Sequence, residues 1–314
     1  MKRALVIIVL GMILFPGNSF FTKPEPVEEP VEVGPQQAEE ESISLVLVGD
    51  IMLDRGVDYM TEKYGDGDFK FPFLKIADYL NEADIVFGNL EGPISDKGAK
   101  VGSIYSFRAE PKAIEGLTYS GFNILSLANN HAFDYGREAL EDTVLRLKEA
   151  GIGAVGLGLP LIQEIKGAKI GFLSYTNTGL ASWGISWTDE NNLEKIKKEI
   201  EETKRTVDIL IVSLHAGEEY QPEPGKFQVD FAEMAIDAGA DVAVGHHPHV
   251  VQKREKRNDG FIFYSLGNFV FDQGFSEETM RGEIVKILIE NDKIKEVIPE
   301  EIKINEFFQP EIGS

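Results

Sequence analysis

Short apolar runs rich in β-branched residues recur along the chain, and the first three stop abruptly on a small polar pair. Ile43–Val48 stops at Gly49-Asp50, Asp84–Phe87 at Gly88-Asn89, and Asn123–Ala128 at Asn129-Asn130. Ala154–Val155, Ile170–Tyr175, Ile209–Leu214, Val242–Val244 and Ile262–Leu266 continue the series. Their length and composition predict buried strands rather than helices. Between them lie segments of helical periodicity: Phe73–Asn81, with Leu74, Ile76, Ala77 and Leu80 in register, then Arg137–Ala150, Glu194–Thr206 and Phe227–Ala238. Alternation of this kind predicts βαβ units and a mainly parallel sheet. Glu283–Ile289 and Lys295–Ile304 read as a terminal pair of strands joined at Asn291-Asp292, a hairpin turn sequence.

The chain has 314 residues, room for one large domain or two small ones. Its net charge of −22 repels nucleic acid, whose binding depends on neutralising phosphates. The same field repels a polyanionic substrate unless a local positive centre, such as a bound metal pair, overrides it. With no cysteine, disulfides, thiolate ligands and lipoprotein anchoring are all excluded.

Lys2 and Arg3 precede an apolar run, Ala4–Phe15, of about twelve residues. This suits a signal-peptide core and is short of the roughly 20 residues of a spanning helix. Residues 1–21 are therefore expected to direct export, as a signal peptide or as an N-terminal membrane anchor. Residues 22–42, with Pro24, Pro26, Pro30 and Pro35 among glutamates, read as an extended linker. The folded domain is expected over 43–306, with 307–314 as a C-terminal tail.

All five histidines, His131, His215, His246, His247 and His249, follow the end of an expected strand. Ligands of open α/β sheets bind beyond the carboxyl ends of the strands, so the histidines mark a site. In Gly245-His-His-Pro-His249, Pro248 holds His247 and His249 so that both imidazoles can serve one metal; His246 is expected to orient them. His215 is a third candidate ligand, with Glu218 or Glu219 either orienting it or facing solvent. Asn130 offers a neutral oxygen, which leaves His131 for the substrate. Asp134 either fixes the tautomer of His131 or caps the next helix. Asp50 and Glu91 supply the anionic charge that holds metal, and Asn89 can orient a neighbour. Asp54 and Arg55 fit substrate contacts or a solvated turn. Asn268 fits a substrate contact or a turn cap, and Asp272 can position a histidine. Trp183 and Trp187 line a groove or pack locally. No G-x-S-x-G, P-loop or G-x-G-x-x-G occurs, against α/β-hydrolase, nucleotide-hydrolase and dinucleotide readings.

Taken in order, GDIML, GNLEGP, LANNHAFDYG, HAGEEY, GHHPHVVQ and SLGNFVFD resemble the CapA capsule-synthesis family, over about Ser44 to Asp272. That family is implicated in poly-gamma-glutamate biosynthesis or export and is similar to calcineurin-like metallophosphoesterases. The resemblance implies a four-layer α/β/β/α sandwich with two divalent ions at the strand ends, Mn, Fe, Zn and Mg all being compatible. It implies Asp50, Glu91, Asn130, His215, His247 and His249 as metal ligands and His131 as the proton donor to a leaving group. Catalysis would then rest on His131 with Asp134, and substrate binding on Arg55, Asn268 and Glu218. The implied partners are an anionic polymer or phosphoester substrate and membrane-bound polyglutamate synthase subunits, with membrane contact through the N-terminus. Two departures stand out. Met52 occupies the histidine position of the phosphoesterase D-x-H motif, and Glu91 is a methylene longer than the usual bridging aspartate; a weakened or missing metal position is the expected consequence. Three readings follow: a phosphoesterase-type hydrolase, a non-catalytic polyglutamate-binding component, and an unrelated amidohydrolase. Amidohydrolases carry H-x-H after their first strand, and Met52 argues against the third.

Overall fold

The computed structural model describes residues 42–101 and 104–313; the expected export segment and nearly all of the linker lie outside them. The chain opens with β1 (Ile43–Ile51), α1 (Arg55–Tyr64), α2 (Ala77–Asn81), β2 (Ile85–Leu90), α3 (Ala113–Tyr119), β3 (Ile124–Ser126) and α4 (Gly136–Glu149). It continues through β4 (Gly153–Val155), β5 (Leu161–Ile165), β6 (Ala168–Thr176), α5 (Leu193–Lys204), β7 (Ile209–His215), α6 (Lys226–Asp237) and β8 (Val242–His246). The remaining strands are β9 (Arg254–Arg257), β10 (Gly260–Phe263), β11 (Asn268–Val270), β12 (Arg281–Glu290), β13 (Lys293–Ile304) and β14 (Pro310–Ile312).

These strands form two sheets. One runs β14-β13-β12-β1-β2-β3-β4, with β11 also paired to β1; the other runs β5-β6-β7-β8-β10-β9. The period-2 alternation of side chains divides each central strand between two cores. From β1, Leu45 and Leu47 pack against Ile211, Val244 and Phe172 of the opposite sheet. Val46 and Val48 point the other way, into a core shared with Val57, Leu117 and Leu140 of α1, α3 and α4. In β7, Ile209 and Ile211 join the core between the sheets, and Leu210 and Val212 meet Ile196, Ile200 and Phe231 of α5 and α6. Three cores require four layers, and the architecture is the expected α/β/β/α sandwich.

Neither sheet is purely parallel. β1 to β4 and β6, β7, β8 and β10 run parallel within their sheets, whereas β12, β13 and β14 extend the first sheet antiparallel. Asn291 and Asp292 both adopt positive φ, 53° and 58°, the geometry of a two-residue type I′ hairpin. The helix expected over 73–81 is interrupted: Phe71–Phe73 is a 3-10 turn with Pro72 near its start, and only α2 is α-helical. Leu74 is accordingly 52% exposed and leaves the apolar stripe. Residues 307–314, expected as a tail, include β14, which pairs with β13 and buries Gln309 and Pro310. Among the described residues no helix is long and apolar enough to cross a membrane.

Across the central interface the rings of Phe87 and Phe172 stack at 5.7 Å, both fully buried. Phe172→Ala is expected to lower the unfolding free energy by about 3–5 kcal/mol. Combined with Phe87→Ala it should cost less than the sum of the single losses, because the rings contact each other. Urea denaturation of the two single variants and the double variant checks this; strict additivity would show that the rings are not coupled.

Candidate metal centre

The carboxyl ends of the parallel strands from both sheets meet at one place. β1 delivers Asp50, β2 Asn89 and Glu91, β3 Asn129 to His131, β7 His215, and β8 the His246–His249 segment. β11 takes over from β12 as the neighbour of β1 and puts Asn268 opposite Asp50. Glycine makes this approach possible. A Cβ on Gly49 would lie 2.1 Å from the Gly267 carbonyl oxygen, and one on Gly245 1.9 Å from that of Tyr264. Both obstructions are backbone and cannot rotate away.

Asp50 and Glu91, 0% and 2% exposed, form the anionic centre. Asp50 accepts from Asn89 Nδ2 at 2.8 Å and from the His247 backbone N–H at 3.1 Å. Its two oxygens lie 3.3 Å from the Nδ1 atoms of His246 and His249. Burial alone would raise the Asp50 carboxyl, but these two imidazoles outweigh it and hold it well below the carboxylate range. Glu91 goes the other way, pushed well up by burial and then by the charge of Asp50.

Hydrogen bonds fix which imidazole nitrogen keeps a lone pair. Asn130 Oδ1 is an acceptor, so His215 Nε2, 2.7 Å away, donates to it. The lone pair of His215 then sits on Nδ1, where Asn89 Nδ2 donates to it at 3.2 Å and Glu91 Oε1 lies 3.8 Å away. Asn268 spends its amide hydrogens on Gln273 Oε1 and the Thr279 carbonyl; its oxygen therefore accepts from His249 Nδ1 at 3.0 Å, which leaves Nε2 as the donor atom of His249. Asp134 Oδ2 lies 2.8 Å from His131 Nδ1 and also accepts from the Phe107 N–H, so His131 turns Nε2 toward Glu91 Oε2, 3.9 Å away.

These donors fit a divalent metal. One carboxylate or imidazole atom from each of Asp50, Glu91 and His215 lies within 4.8 Å of the others, and the same holds for Glu219, His247 and His249. Glu91 Oε2, His247 Nδ1 and both ring nitrogens of His246 are buried without a hydrogen-bond partner, an arrangement that is costly unless something else satisfies them. Burial, followed by the neighbouring imidazole charges, drives His215 well down and His247 down to about 4, the neutral forms that ligate metal.

A cavity of about 710 Å³ opens on this centre, lined among others by Arg55, Phe107, Asn130, His131, Glu219 and His249. Arg55 projects from the start of α1 with φ 53°. Its guanidinium pairs with Asp272 and lies over the Phe107 ring at 4.5 Å, and Phe107 stacks on His131 at 4.0 Å. A neighbouring cavity of about 790 Å³ shares Tyr220 with the first but holds none of the histidines.

Most of the residues selected from sequence converge here, with some corrections of role. Asn268, expected at a turn or on substrate, is fully buried and instead orients His249. Glu218 is exposed and does not line the cavity; its neighbour Glu219 does. Asp272 holds Arg55 and the Gly56 N–H rather than a histidine. Asp54 caps α1 and accepts from the Arg108 N–H. Asp134 addresses His131, and α4 begins without a side-chain cap. Trp183 stacks on Phe133 away from the cavity lining. Asn89, selected only as a neighbour's guide, is the hub: its Nδ2 reaches Asp50, Glu91 and His215, and its Oδ1 accepts from Asn129. Phe107 had no sequence signal, because it belongs to an irregular segment that only the fold brings to His131.

Two sheets sandwiched between helices define the fold, a four-layer α/β/β/α sandwich whose strand ends carry buried imidazoles and carboxylates compatible with metal. A solved structure described as a novel phosphatase from Mycoplasma pneumoniae shares it at a TM-score of 0.50, with 18% identity, covering 84% of this chain and 94% of that one. Residues 44–273 match the family of the bacterial capsule synthesis protein PGA_cap, and the chain belongs to that family. Its relatives include the capsule biosynthesis protein CapA of Bacillus anthracis, 35% identical over 76% of this chain and 62% of that protein. The PGA biosynthesis protein CapA of Bacillus subtilis is 35% identical over 74% of this chain and 64% of its own length. The matched part thus spans less than two thirds of either relative.

His249 is pushed up to about 9, because Glu91 and Asp50 outweigh its burial. Without metal it carries a proton at neutral pH, and an incoming ion must expel it. The protonated form dominates below that pKa, so raising pH lowers the cost of binding. Affinity for Mn²⁺ is expected to climb about tenfold per pH unit, or more steeply with Glu91 contributing, and to flatten near pH 9. Calorimetric titrations from about pH 6 upward measure this; an affinity independent of pH would contradict it.

Proposed function

We propose that this chain is an exported, metal-dependent component of poly-gamma-glutamate capsule synthesis or export, and that its centre is hydrolytic. The observation that carries the hydrolytic reading is the His131–Asp134 pair at the cavity wall, with Nε2 of His131 facing the carboxylate centre. The biosynthetic role rests on similarity to the two CapA proteins, one of capsule biosynthesis and one of PGA biosynthesis. Export rests on Lys2, Arg3 and the apolar run that follows them.

Asp50, Glu91, Asn130, His215, His247 and His249 would hold one or two divalent ions. Such ions supply Lewis acidity at a phosphoryl or acyl oxygen and make water more acidic. The protein's own contribution is separate. Asp134 fixes the Nδ1 proton of His131, so a second proton at Nε2 is the one available to a departing oxygen or nitrogen. Phe107 covers one face of that imidazole and limits water on that side. Arg55, aligned by Asp272 and Phe107, offers a guanidinium to an anionic group of the substrate.

A second reading has its own support. Met52 stands where the phosphoesterase motif has histidine, and its Sδ accepts the Asp54 N–H at 3.1 Å instead of facing the centre. Under this reading the metal site binds carboxylates of the polymer without cleaving it. A panel of phosphoesters and γ-glutamyl peptides with added Mn²⁺ separates the two. The hydrolytic reading expects turnover that falls about 10²–10⁴-fold in His131→Ala while metal content is kept. Metal-dependent polyglutamate binding with no turnover on any substrate would favour the binding role.

A further inference from the structure

We propose that Glu219 is a metal ligand, the carboxylate that completes a second donor group with His247 and His249. The inference rests on the metal reading above and adds a residue to it. Met52 is fully buried, and its sulfur is occupied by the turn into α1. A thioether is also a poor donor for a hard divalent cation, which prefers carboxylate or imidazole. The first strand therefore contributes one candidate ligand, Asp50.

The His247–His249 end is the one whose only grouped carboxylate is Glu219. Asp50, Glu91 and His215 form one compact donor group with two carboxylates; His247 and His249 form the other, and Glu219 is the acid that completes it within 4.8 Å. Two neighbouring cations repel, and imidazoles alone bring no charge to offset this. Glu219 provides a negative charge that the first group does not have to share.

The local backbone holds Glu219 in place. The next residue, Tyr220, adopts φ 65° and donates its N–H to the carbonyl oxygen of Pro248 at 2.8 Å. Pro248 is the residue between the two imidazoles, so the segment carrying Glu219 is tied to the His-Pro-His loop. On the other side Gly217, at φ 118°, sits where a Cβ would lie 2.5 Å from Gln228 Oε1. The two histidines are aimed as well. His247 and His249 both hold positive φ, 96° and 58°, a conformation costly for side-chain-bearing residues. His247 is 7% exposed and its Nδ1 has no hydrogen-bond partner. His249 has Nδ1 engaged by Asn268 and keeps Nε2 for a ligand. Glu219 approaches from the open side, since it lines the cavity and is solvent-exposed.

The test measures metal rather than turnover. Mn²⁺ stoichiometry and affinity are determined by elemental analysis, by titration and by the spin-coupled electron paramagnetic resonance of a two-ion centre. Folding of each variant is checked by circular dichroism. The wild type should bind two ions. Glu219→Gln should keep one and bind the second at least about tenfold more weakly, the loss caused even by removing a ligand's outer partner, and its coupled signal should disappear. Glu218→Gln should match the wild type, and Glu219→Asp should recover part of the loss. Two ions of unchanged affinity in Glu219→Gln would overturn the assignment while leaving the metal centre intact. A wild type with a single ion that Glu219→Gln retains would overturn it too. A wild type that binds no ion would remove the metal reading itself and this assignment with it.

Discussion

Two carboxylates withdrawn from water at the seam between two sheets set the terms for the rest of the molecule. Taking Asp50 and Glu91 out of solvent costs several kcal/mol each unless opposite charge and hydrogen bonds replace the water. The protein answers with imidazoles from both sheets and with the Asn89 amide, which touches Asp50, Glu91 and His215 together. The compensation is incomplete: Glu91 Oε2 has no partner, and His247 Nδ1 has none either. A buried polar set left part-satisfied in this way is costly as a structural device and apt as a receptor for a cation. The sandwich fold, the glycines at the strand ends and the handover from β12 to β11 all serve to bring these groups within reach of one another.

The surroundings bear on what the centre can recognise. A chain of net charge −22 does not attract an anionic polymer as a whole. If such a polymer is the substrate, as proposed above, its recognition is local, and Arg55 lines the cavity together with His131, braced by Asp272 and Phe107. A bound cation would add to that local field.

Much of this was legible in the sequence, for physical reasons. The buried strands announced themselves as β-branched runs, and the histidines clustered where those runs stop. The four-layer arrangement followed from resemblance, and the alternation of Leu45 and Leu47 against Val46 and Val48 explains it in the structure. Other features were not readable. β9, whose sequence is Arg-Glu-Lys-Arg, has no apolar signature because it is an edge strand. β11 is three residues long, and Asn268 looked like a turn residue because its role depends on pairing with Asp50. The choice between Glu218 and Glu219 turns on the φ angles of Gly217 and Tyr220, which no spacing rule supplies. Phe73–Asn81 looked continuous as a helix; only Ala77–Asn81 is α-helical, and Leu74 turns to solvent while Ile76 and Leu80 stay buried.

Anomalous diffraction from crystals grown with Mn²⁺ addresses the central claim most directly. The account predicts at least one strong peak within about 2.0–2.6 Å of ligand atoms on both sheets, shared by Glu91 and His215 and flanked by Asp50. Crystals that bind Mn²⁺ only at surface carboxylates, with Glu91 and His215 left as neighbours around no ion, would contradict it.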